Sequence, residues 1–218
     1  MRKNQLPSMR LAILLPSGSF VHTDFMMSMT TLVQFLCRQQ IPGYGGTSLA
    51  IFNKRSSLLP ASREMLVDDA IKSQCSHALF IDSDQSFPQY ALHQLVQHQK
   101  PVIGANVALK KLPSEPSARN SVTERKPVYS NGKEGIEEVQ YLGFGLTLID
   151  LAFIQTIPKP WFPIEYRPGL GYVGEDMSFC EKVRAAGGSI WVDHDLSQQV
   201  LHMGDYPYGH DDVPNFPE

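Results

Sequence analysis

Short apolar runs alternate with helical segments through the first half of the chain, and this order restricts the possible folds more than any other feature. Residues 11–15, 47–52, 77–81 and 101–105 are apolar runs with the length of buried strands. The segments between them, residues 24–39, 62–73 and 90–99, repeat apolar side chains at helical spacing. Strands and helices that alternate in this way form a parallel sheet with helices on both faces. The sequence therefore predicts an α/β fold with an open, mostly parallel sheet.

The second half of the chain is less regular. Residues 108–127 show no periodicity and carry five basic and two acidic side chains, which predicts a long mobile loop. Later strands are predicted at residues 137–149, 189–192 and 199–201, and a helix at residues 176–186. Because no internal repeat is present, we expect one domain over residues 1–204 and an irregular tail over residues 205–218.

The composition is that of a folded domain. Hydrophobic residues make up 42% of the chain, enough to build a core without metal or disulfide support. Three widely separated cysteines form no Cys-x-x-Cys pair and favour the reducing cytoplasm. No apolar run approaches the roughly 20 residues of a membrane-spanning helix, and residues 11–15 are too few for a signal peptide. A net charge of −3 argues against nucleic-acid binding through bulk charge, although the basic loop leaves local contacts with phosphates open.

The third predicted strand ends in Asp82-Ser83-Asp84, which places two carboxylates at the carboxyl end of a central strand. Ligands of open α/β sheets bind at this edge. Two neighbouring carboxylates repel each other unless a proton or a cation intervenes, and hard divalent ions take oxygen ligands of this kind. The pair therefore predicts a metal site. The alternative is a simple turn and helix cap, since Asp and Ser favour both positions.

Other short motifs lie around this pair in a defined order. They are Leu14-Leu15-Pro16-Ser17, Ser62-Arg63, the strand at residues 100–105, Gly143-Phe144-Gly145, Gly174-Glu175-Asp176 and His202-Met203-Gly204. Together with the Asp-x-Asp pair and Phe87-Pro88, this order resembles the nucleotide-sugar-dependent glycosyltransferases of the GT-A fold, in particular small bacterial and phage members of the family 2 type. The resemblance implies a single-domain, Rossmann-like GT-A fold. It also implies transfer of a sugar from a nucleoside diphosphate sugar to a hydroxyl.

The resemblance further implies a set of donor-binding residues: Pro16, Ser17, Asn53, Arg63, Asp82 and Ser83. Pro16 and Ser17 would hold the nucleoside, and Arg63 would reach the nucleotide. Asn53 stands where many members carry an acidic residue that reads the base. This departure leaves the base open, and a uridine donor is the first expectation.

The metal ligands implied by the resemblance are Asp82, Asp84 and His202. Asp84 would bind the ion directly, whereas Asp82 would lie nearer the ribose and bind through water or a second oxygen. His202 would supply a nitrogen ligand, unless it only satisfies a backbone group at the end of its strand. An imidazole beside carboxylates suits Mn²⁺ better than Mg²⁺. Mn²⁺ is therefore the expected cofactor, with Mg²⁺ as the alternative.

By the same resemblance, Asp176 is the general base that takes the proton of the attacking hydroxyl, with Glu175 beside it. In that role the sugar carbon would invert; a retaining outcome stays open, because retaining members keep similar acidic residues for other reasons. The alternative is that both acidic residues only stabilise the positive end of a helix. The acceptor is open between a modified base in phage DNA and a glycan. Aromatic residues before this motif could stack on a ligand or pack in the core: Trp161, Phe162, Tyr166 and Tyr172.

Two other function classes stay open from the sequence. A phosphatase of the haloacid-dehalogenase type also presents an Asp-x-Asp after a buried strand, with Asp82 as nucleophile and Asp84 as acid. In such enzymes, however, the pair usually follows the first strand, whereas here it follows the third. A non-catalytic binder of nucleotide sugars would need Asp84 but not Asp176. The oligomeric state cannot be read from the sequence.

Overall fold

The computed structural model describes residues 6–121 and 126–214. The strands are β1 (Ser8–Ser17), β2 (Gly46–Arg55), β3 (His77–Ile81), β4 (Gln85–Ser86), β5 (Val102–Gly104), β6 (Arg119–Ser121), β7 (Lys126–Pro127), β8 (Ile136–Val139), β9 (Leu146–Asp150), β10 (Glu165–Arg167), β11 (Gly171–Val173), β12 (Ile190–Asp193), β13 (Leu201–Met203) and β14 (Pro207–Tyr208). The helices are α1 (Thr23–Arg38), α2 (Leu59–Lys72), α3 (Ala91–Gln97), α4 (Leu151–Ile154), α5 (Glu175–Ala185) and α6 (His194–Ser197), followed by a 3-10 turn at His210–Asp212.

The central sheet has seven strands in the order β2-β1-β3-β9-β5-β12-β8. Strands β2, β1, β3, β5 and β12 run in one direction, whereas β9 and β8 are antiparallel to their neighbours. This mixed but mostly parallel sheet, flanked by helices, confirms the predicted fold class. Within the described residues, no helix is both long and apolar enough to cross a bilayer.

Alternate residues of the central strands enter two separate cores, one on each face of the sheet. On β1, Ala12 and Leu14 belong to one core, and Leu11 and Ile13 to the other. All four are fully buried. A strand with both faces covered must be apolar at every position, which is why the short continuous apolar runs identified these strands in the sequence.

Helix boundaries follow local chemistry. α2 begins at Leu59, three residues earlier than expected, because Pro60 fits the first turn of a helix, where its missing N–H is not needed. α5 ends before Gly187, whose φ of +82° is the left-handed conformation that terminates helices.

The predicted single strand at residues 137–149 is wrong. The segment forms β8 and β9, which occupy distant positions in the sheet: β8 at one edge beside β12, and β9 between β3 and β5. The residues between the two strands cross the sheet and bury Leu142 and Phe144. In the sequence, the polar edge strand β8 and the apolar central strand β9 look like one continuous strand. The pattern of polar and apolar residues does not show that the chain crosses the sheet between them.

The predicted mobile loop at residues 108–127 is also more ordered than expected in its described part. It contains β6 and β7, and Ala118 is fully buried. Side chains replace part of the strand ladder: Asn106 Oδ1 accepts from the N–H of Ala118 at 2.8 Å, and the Ser117 hydroxyl accepts from the N–H of Val107 at 3.0 Å. Hydrogen bonds from side chains to the backbone order this segment without a periodic pattern of apolar residues, so the sequence does not reveal the order. Residues 122–125 lie outside the described residues.

The chain after residue 199 pairs with β4 in a separate three-stranded sheet of order β14-β13-β4. The strand expected at residues 199–201 is β13, shifted to Leu201–Met203, where it pairs antiparallel with β4. The segment expected to be an irregular tail carries β14 and a 3-10 turn in its described part, residues 205–214. His210 is buried there, and its ring contacts the Asn106 carbonyl oxygen and Asn131 Oδ1. The predicted domain boundary at residue 204 stays a prediction, and residues 215–218 lie outside the described chain.

Gly104 sits where β5 and β9 approach closely, and replacing it by alanine should be strongly destabilising. An added Cβ would lie 2.4 Å from the Leu146 carbonyl oxygen and 2.6 Å from Thr147 Oγ1. Because both atoms are held in the centre of the sheet, we expect a loss of about 3 kcal/mol of unfolding free energy in denaturant titrations. Gly46→Ala is the control, since its Cβ would meet no atom within 4 Å. Equal stability of the two variants would contradict this account.

Candidate active site

A cleft opens where the parallel strands β1 and β3 end. It has a volume of about 220 Å³, and its lining includes Pro16, Ser17, Asp82, Ser83 and Asp84. Parallel neighbours end at the same edge of a sheet, so segments far apart in the chain share this cleft. Five of the predicted donor and metal residues are therefore brought together by the fold.

Asn53 supports this cleft from the neighbouring strand. Its Nδ2 donates to the Leu15 carbonyl oxygen at 2.9 Å and to the Ser17 hydroxyl at 2.7 Å. A carboxylate at this position could not donate to either oxygen. The absence of the acidic residue that the resemblance led us to expect thus has a structural reason: Asn53 fixes the loop that carries Ser17.

Asp82 is half-buried at the floor of the cleft. Burial raises the pKa of its carboxyl to about 6, and the negative charges of Asp84 and Glu175 add to this effect, while the positive charge of Arg63 opposes it. The Arg63 Nη2 atom lies 3.4 Å from Asp82 Oδ1. Any further cation in the cleft would favour the ionised form of this carboxyl.

Arg63 lies beneath the cleft rather than in its lining. Its side chain is 4% exposed and bridges two acidic residues, with Nη2 near Asp82 and Nη1 3.5 Å from Glu175 Oε1. The guanidinium also lies 4.9 Å from the centre of the Phe144 ring. This placement makes Arg63 the shared counter-charge of two acidic positions, and its predicted contact with the nucleotide stays a prediction.

Asp84 faces two cationic or potentially cationic groups. Lys110 Nζ lies 2.6 Å from Asp84 Oδ2, and His202 Nε2 lies 3.5 Å from Asp84 Oδ1. Burial opposes ionisation of this carboxyl, but the hydrogen bonds and charges of His202 and Lys110 outweigh it and lower its pKa to about 2. Asp84 is therefore ionised at neutral pH in the lining of the cleft.

The orientation of His202 fits a cation beside Asp84. Its Nδ1 lies 2.9 Å from the carbonyl oxygen of Ala108, which can only accept, so Nδ1 carries the hydrogen. In the neutral ring Nε2 then presents a lone pair to a carboxylate oxygen, and two such acceptors need a proton or a metal ion between them. This donor set suits Mn²⁺. Among residues 6–121 and 126–214, however, no three His, Cys, Asp or Glu side chains form a complete metal cluster.

Glu175 and Asp176 begin α5. Asp176 Oδ1 accepts from the N–H of Met177 at 2.7 Å, so the residue does stabilise the start of its helix. It also lines a cavity of about 200 Å³ together with Ser117 and Arg119. Burial raises the pKa of Asp176, and the charge of Glu175 raises it further. A carboxylate of raised basicity that faces a cavity is suited to accept a proton.

The four aromatic residues before α5 divide into two pairs. Trp161 and Phe162 are buried in the core, where the Phe162 ring stacks on Phe179 at 4.9 Å. Tyr166 and Tyr172 lie on the β10–β11 hairpin and are 65% and 79% exposed. Of the two interpretations of these residues, core packing applies to the first pair, and only the tyrosines are placed to contact a ligand.

Lys110 and Arg119 reach the site without a distinctive sequence signal. Both belong to the segment expected to be a mobile loop, and the sequence marked them only as basic residues. Lys110 lies 26 positions from its partner Asp84. Arg119 lines the same cavity as Asp176, and its backbone pairs with Tyr141. Such contacts between segments distant in sequence follow no local pattern.

Replacing Arg63 by methionine should destabilise the protein by about 3 kcal/mol, because removing one partner of a buried ion pair leaves the other charge unbalanced. Here two carboxylates, Asp82 and Glu175, would lose their shared cation. Thermal or urea unfolding measures the loss. Arg184→Met is the matched control, since Arg184 also lies 4.9 Å from an aromatic ring, that of Tyr141. If both variants unfold alike, the bridging role assigned to Arg63 is wrong.

Comparison of the sequence with known proteins finds no relative: no protein-family profile and no curated protein matches it.

Comparison with solved structures supports the fold. Among them, A197 from STIV is similar over 96% of this chain and 99% of its own, with a TM-score of 0.65 and 16% identity. The catalytic domain of Drosophila β1,4-galactosyltransferase 7, in complex with xylobiose, matches 90% of this chain and 71% of its own, with a TM-score of 0.51 and 13% identity. S. aureus TarS in complex with UDP-GlcNAc matches 86% of this chain and 56% of its own, with 16% identity and a TM-score of 0.45, too low for an argument from the fold. The chain thus has a fold shared with a glycosyltransferase catalytic domain.

Proposed function

We propose that this protein is a glycosyltransferase that moves a sugar from a nucleoside diphosphate sugar to a hydroxyl group. The observation that carries the proposal is the convergence of two acidic positions on buried Arg63: Asp82 in the cleft at the ends of β1 and β3, and Glu175 beside Asp176. A donor site and a proton acceptor then lie on either side of one internal cation. The fold shared with the galactosyltransferase domain supports this interpretation.

In this proposal the donor occupies the cleft at the strand ends. Pro16 and Ser17 form the wall for the nucleoside, held in place by Asn53, and Asp82 and Ser83 form the floor. A uridine nucleotide is the first candidate. The cleft is small and polar at its floor, which suits a nucleotide better than a large apolar ligand.

The divalent cation of the proposal would be held by Asp84 and His202, with Asp82 nearby. When bound, it would neutralise the negative charge that grows on the departing diphosphate. Lys110 already provides a fixed positive charge at the same carboxylate. In the proposal it would contact the diphosphate as well.

Asp176 would act as the general base. As the acceptor oxygen forms its bond to the anomeric carbon, the bond from that carbon to the diphosphate oxygen breaks, and the hydroxyl proton passes to Asp176. Attack from the side opposite the leaving group inverts the sugar carbon. Burial and Glu175 both raise the pKa of Asp176, so the carboxylate holds the proton more strongly than an exposed aspartate would.

The proposal is tested by thermal unfolding with UDP, GDP, CDP and ADP, each with Mn²⁺ or with chelator, followed by assays of nucleotide release from the matching sugar nucleotides. Stabilisation by one diphosphate that requires Mn²⁺, together with release of that nucleotide from its sugar, supports the enzyme. Binding without any turnover indicates a non-catalytic binder. Phosphate release from an aryl phosphate, lost in Asp82→Asn, indicates a phosphatase and contradicts the proposal.

A further inference from the structure

A second, larger cavity lies beside the start of α5. It has a volume of about 450 Å³ and lies between the segment after β5, the β10–β11 hairpin and the start of α5, with a lining that includes Glu115, Arg119, Tyr129, Tyr172 and Met177. Arg119 and Met177 also line the smaller cavity that contains Asp176. A molecule in the large cavity can therefore extend toward the carboxylate of Asp176.

The lining of this cavity combines aromatic rings with one pair of hydrogen-bonding side chains. Tyr172 is largely exposed and Tyr129 half-buried, so both rings offer surface to a ligand. Arg119 Nη2 lies 3.2 Å from Glu115 Oε2. An arginine presents several N–H donors and a glutamate two acceptor oxygens, which together match neighbouring hydroxyl groups that each donate and accept. Rings with a few polar groups are the usual lining of a small-molecule site.

The charges around the cavity favour a neutral ligand. Lys111 and Arg119 both contact Glu115, at 2.6 and 3.2 Å, and Lys110 contacts Asp84 at 2.6 Å. These three cations of the basic segment thus have carboxylate partners in the described structure. Nucleic-acid backbones are bound by Lys and Arg side chains that neutralise phosphates. The two charged side chains that line the cavity, Glu115 and Arg119, balance each other, and such a lining suits a polyhydroxyl molecule better than a phosphodiester chain.

We propose that this cavity binds the acceptor and that the acceptor is a neutral saccharide. The inference rests on the proposed function, because it places the attacking hydroxyl at Asp176. The saccharide would lie against Tyr172 and Tyr129, its hydroxyls would be held by Glu115 and Arg119, and its reacting oxygen would point into the smaller cavity. Its proton passes to Asp176, and the diphosphate is the leaving group.

The test compares Tyr172→Ala and Glu115→Gln with two matched controls. Tyr90→Ala removes a tyrosine that is 37% exposed and lines neither cavity. Glu137→Gln removes a carboxylate that, like Glu115, lies 2.6 Å from a lysine four residues away. Three quantities are measured for each variant: donor hydrolysis by water, transfer to a panel of neutral disaccharides that includes xylobiose, lactose and chitobiose, and disaccharide binding by saturation-transfer NMR without donor.

We expect Tyr172→Ala and Glu115→Gln to raise the KM for the disaccharide about tenfold with little change in kcat, and to weaken its NMR signal, because each removes a contact made before the reaction. Donor hydrolysis should match the wild type, and both controls should behave as the wild type in all three measurements.

Hydrolysis of the donor without disaccharide binding or transfer contradicts the acceptor inference but leaves the proposed function standing. Transfer to an oligonucleotide that falls steeply with salt also overturns it. If no donor is hydrolysed or transferred, the proposed function fails, and with it the acceptor inference.

Discussion

Replacing Asp84 by alanine is expected to abolish the Mn²⁺-dependent stabilisation that the matching nucleoside diphosphate gives to the wild-type protein. A ligand present at about 100 times its dissociation constant adds roughly 2.7 kcal/mol to the unfolding free energy. In a chain of this length that corresponds to a rise of roughly 5–10 °C in Tm. Because Asp84 faces both Lys110 and His202, its loss removes the carboxylate on which both groups converge.

The stability of the unliganded protein should change much less. The Asp84–Lys110 pair is partly exposed, and pairs of this kind contribute at most about 1 kcal/mol. Asp68→Ala is the matched control, because Asp68 is 31% exposed and lies 2.6 Å from the ammonium of Lys159, against 35% and 2.6 Å for Asp84. If Asp84→Ala retains the Mn²⁺-dependent shift, Asp84 is not a ligand, and the Asp-x-Asp pair serves only as a turn.

Asp176→Asn is expected to reduce the transfer rate by about 10²–10⁴-fold while leaving donor binding intact, since this is the usual contribution of a general base. Asparagine keeps the oxygen that accepts from the N–H of Met177, so the start of α5 stays intact. The change also removes a carboxyl whose pKa burial has raised, which means that its charge costs stability in the fold. The variant should therefore be at least as stable as the wild type at neutral pH.

The pH profile separates a base from a helix cap. A base must be ionised to accept a proton, so wild-type activity should fall as the pH drops through the raised pKa of Asp176, at a higher pH than for an ordinary aspartate. The part of this acidic limb that belongs to Asp176 should disappear in the residual activity of Asp176→Asn, while any part that belongs to Asp82, whose pKa is raised to about 6, should remain. Asp150→Asn is the control, because Asp150 caps α4 through the N–H of Ala152 at 2.8 Å and lines neither the donor cleft nor the Asp176 cavity. Full turnover in Asp176→Asn would show that Asp176 only caps α5.

For Arg63 the structure differs from the expectation: the resemblance implied a contact with the nucleotide, whereas the residue lies beneath the cleft and outside its lining. The residue was identified from its position early in α2, and nothing in the local sequence indicates burial. Its burial arises because the helix packs against the sheet, so that the guanidinium lies against Phe144 and between Asp82 and Glu175. A charge can be buried in this way only where opposite charges are brought to it by other parts of the chain.

What the sequence by itself determined is the part of the fold that local chemistry controls. The continuous apolar runs at β1, β2, β3 and β5 and the helical spacing of α1 and α2 specify buried strands that alternate with helices, because each pattern must match the faces that a strand or helix buries. That alternation also places Asp82 and Asp84 at the carboxyl end of β3. The fold class and the position of the cleft follow from these patterns.

Only the tertiary structure decided how the remaining pieces meet. Strand β9 enters the sheet antiparallel between β3 and β5, and β13 pairs with β4, which sets His202 opposite Gln85 and beside Asp84. Lys110 and Arg119 join the site from a segment without periodicity. These pairings depend on contacts between residues far apart in the chain, whose free energy is gained only when the whole sheet closes around its two cores, so no local pattern of residues encodes them.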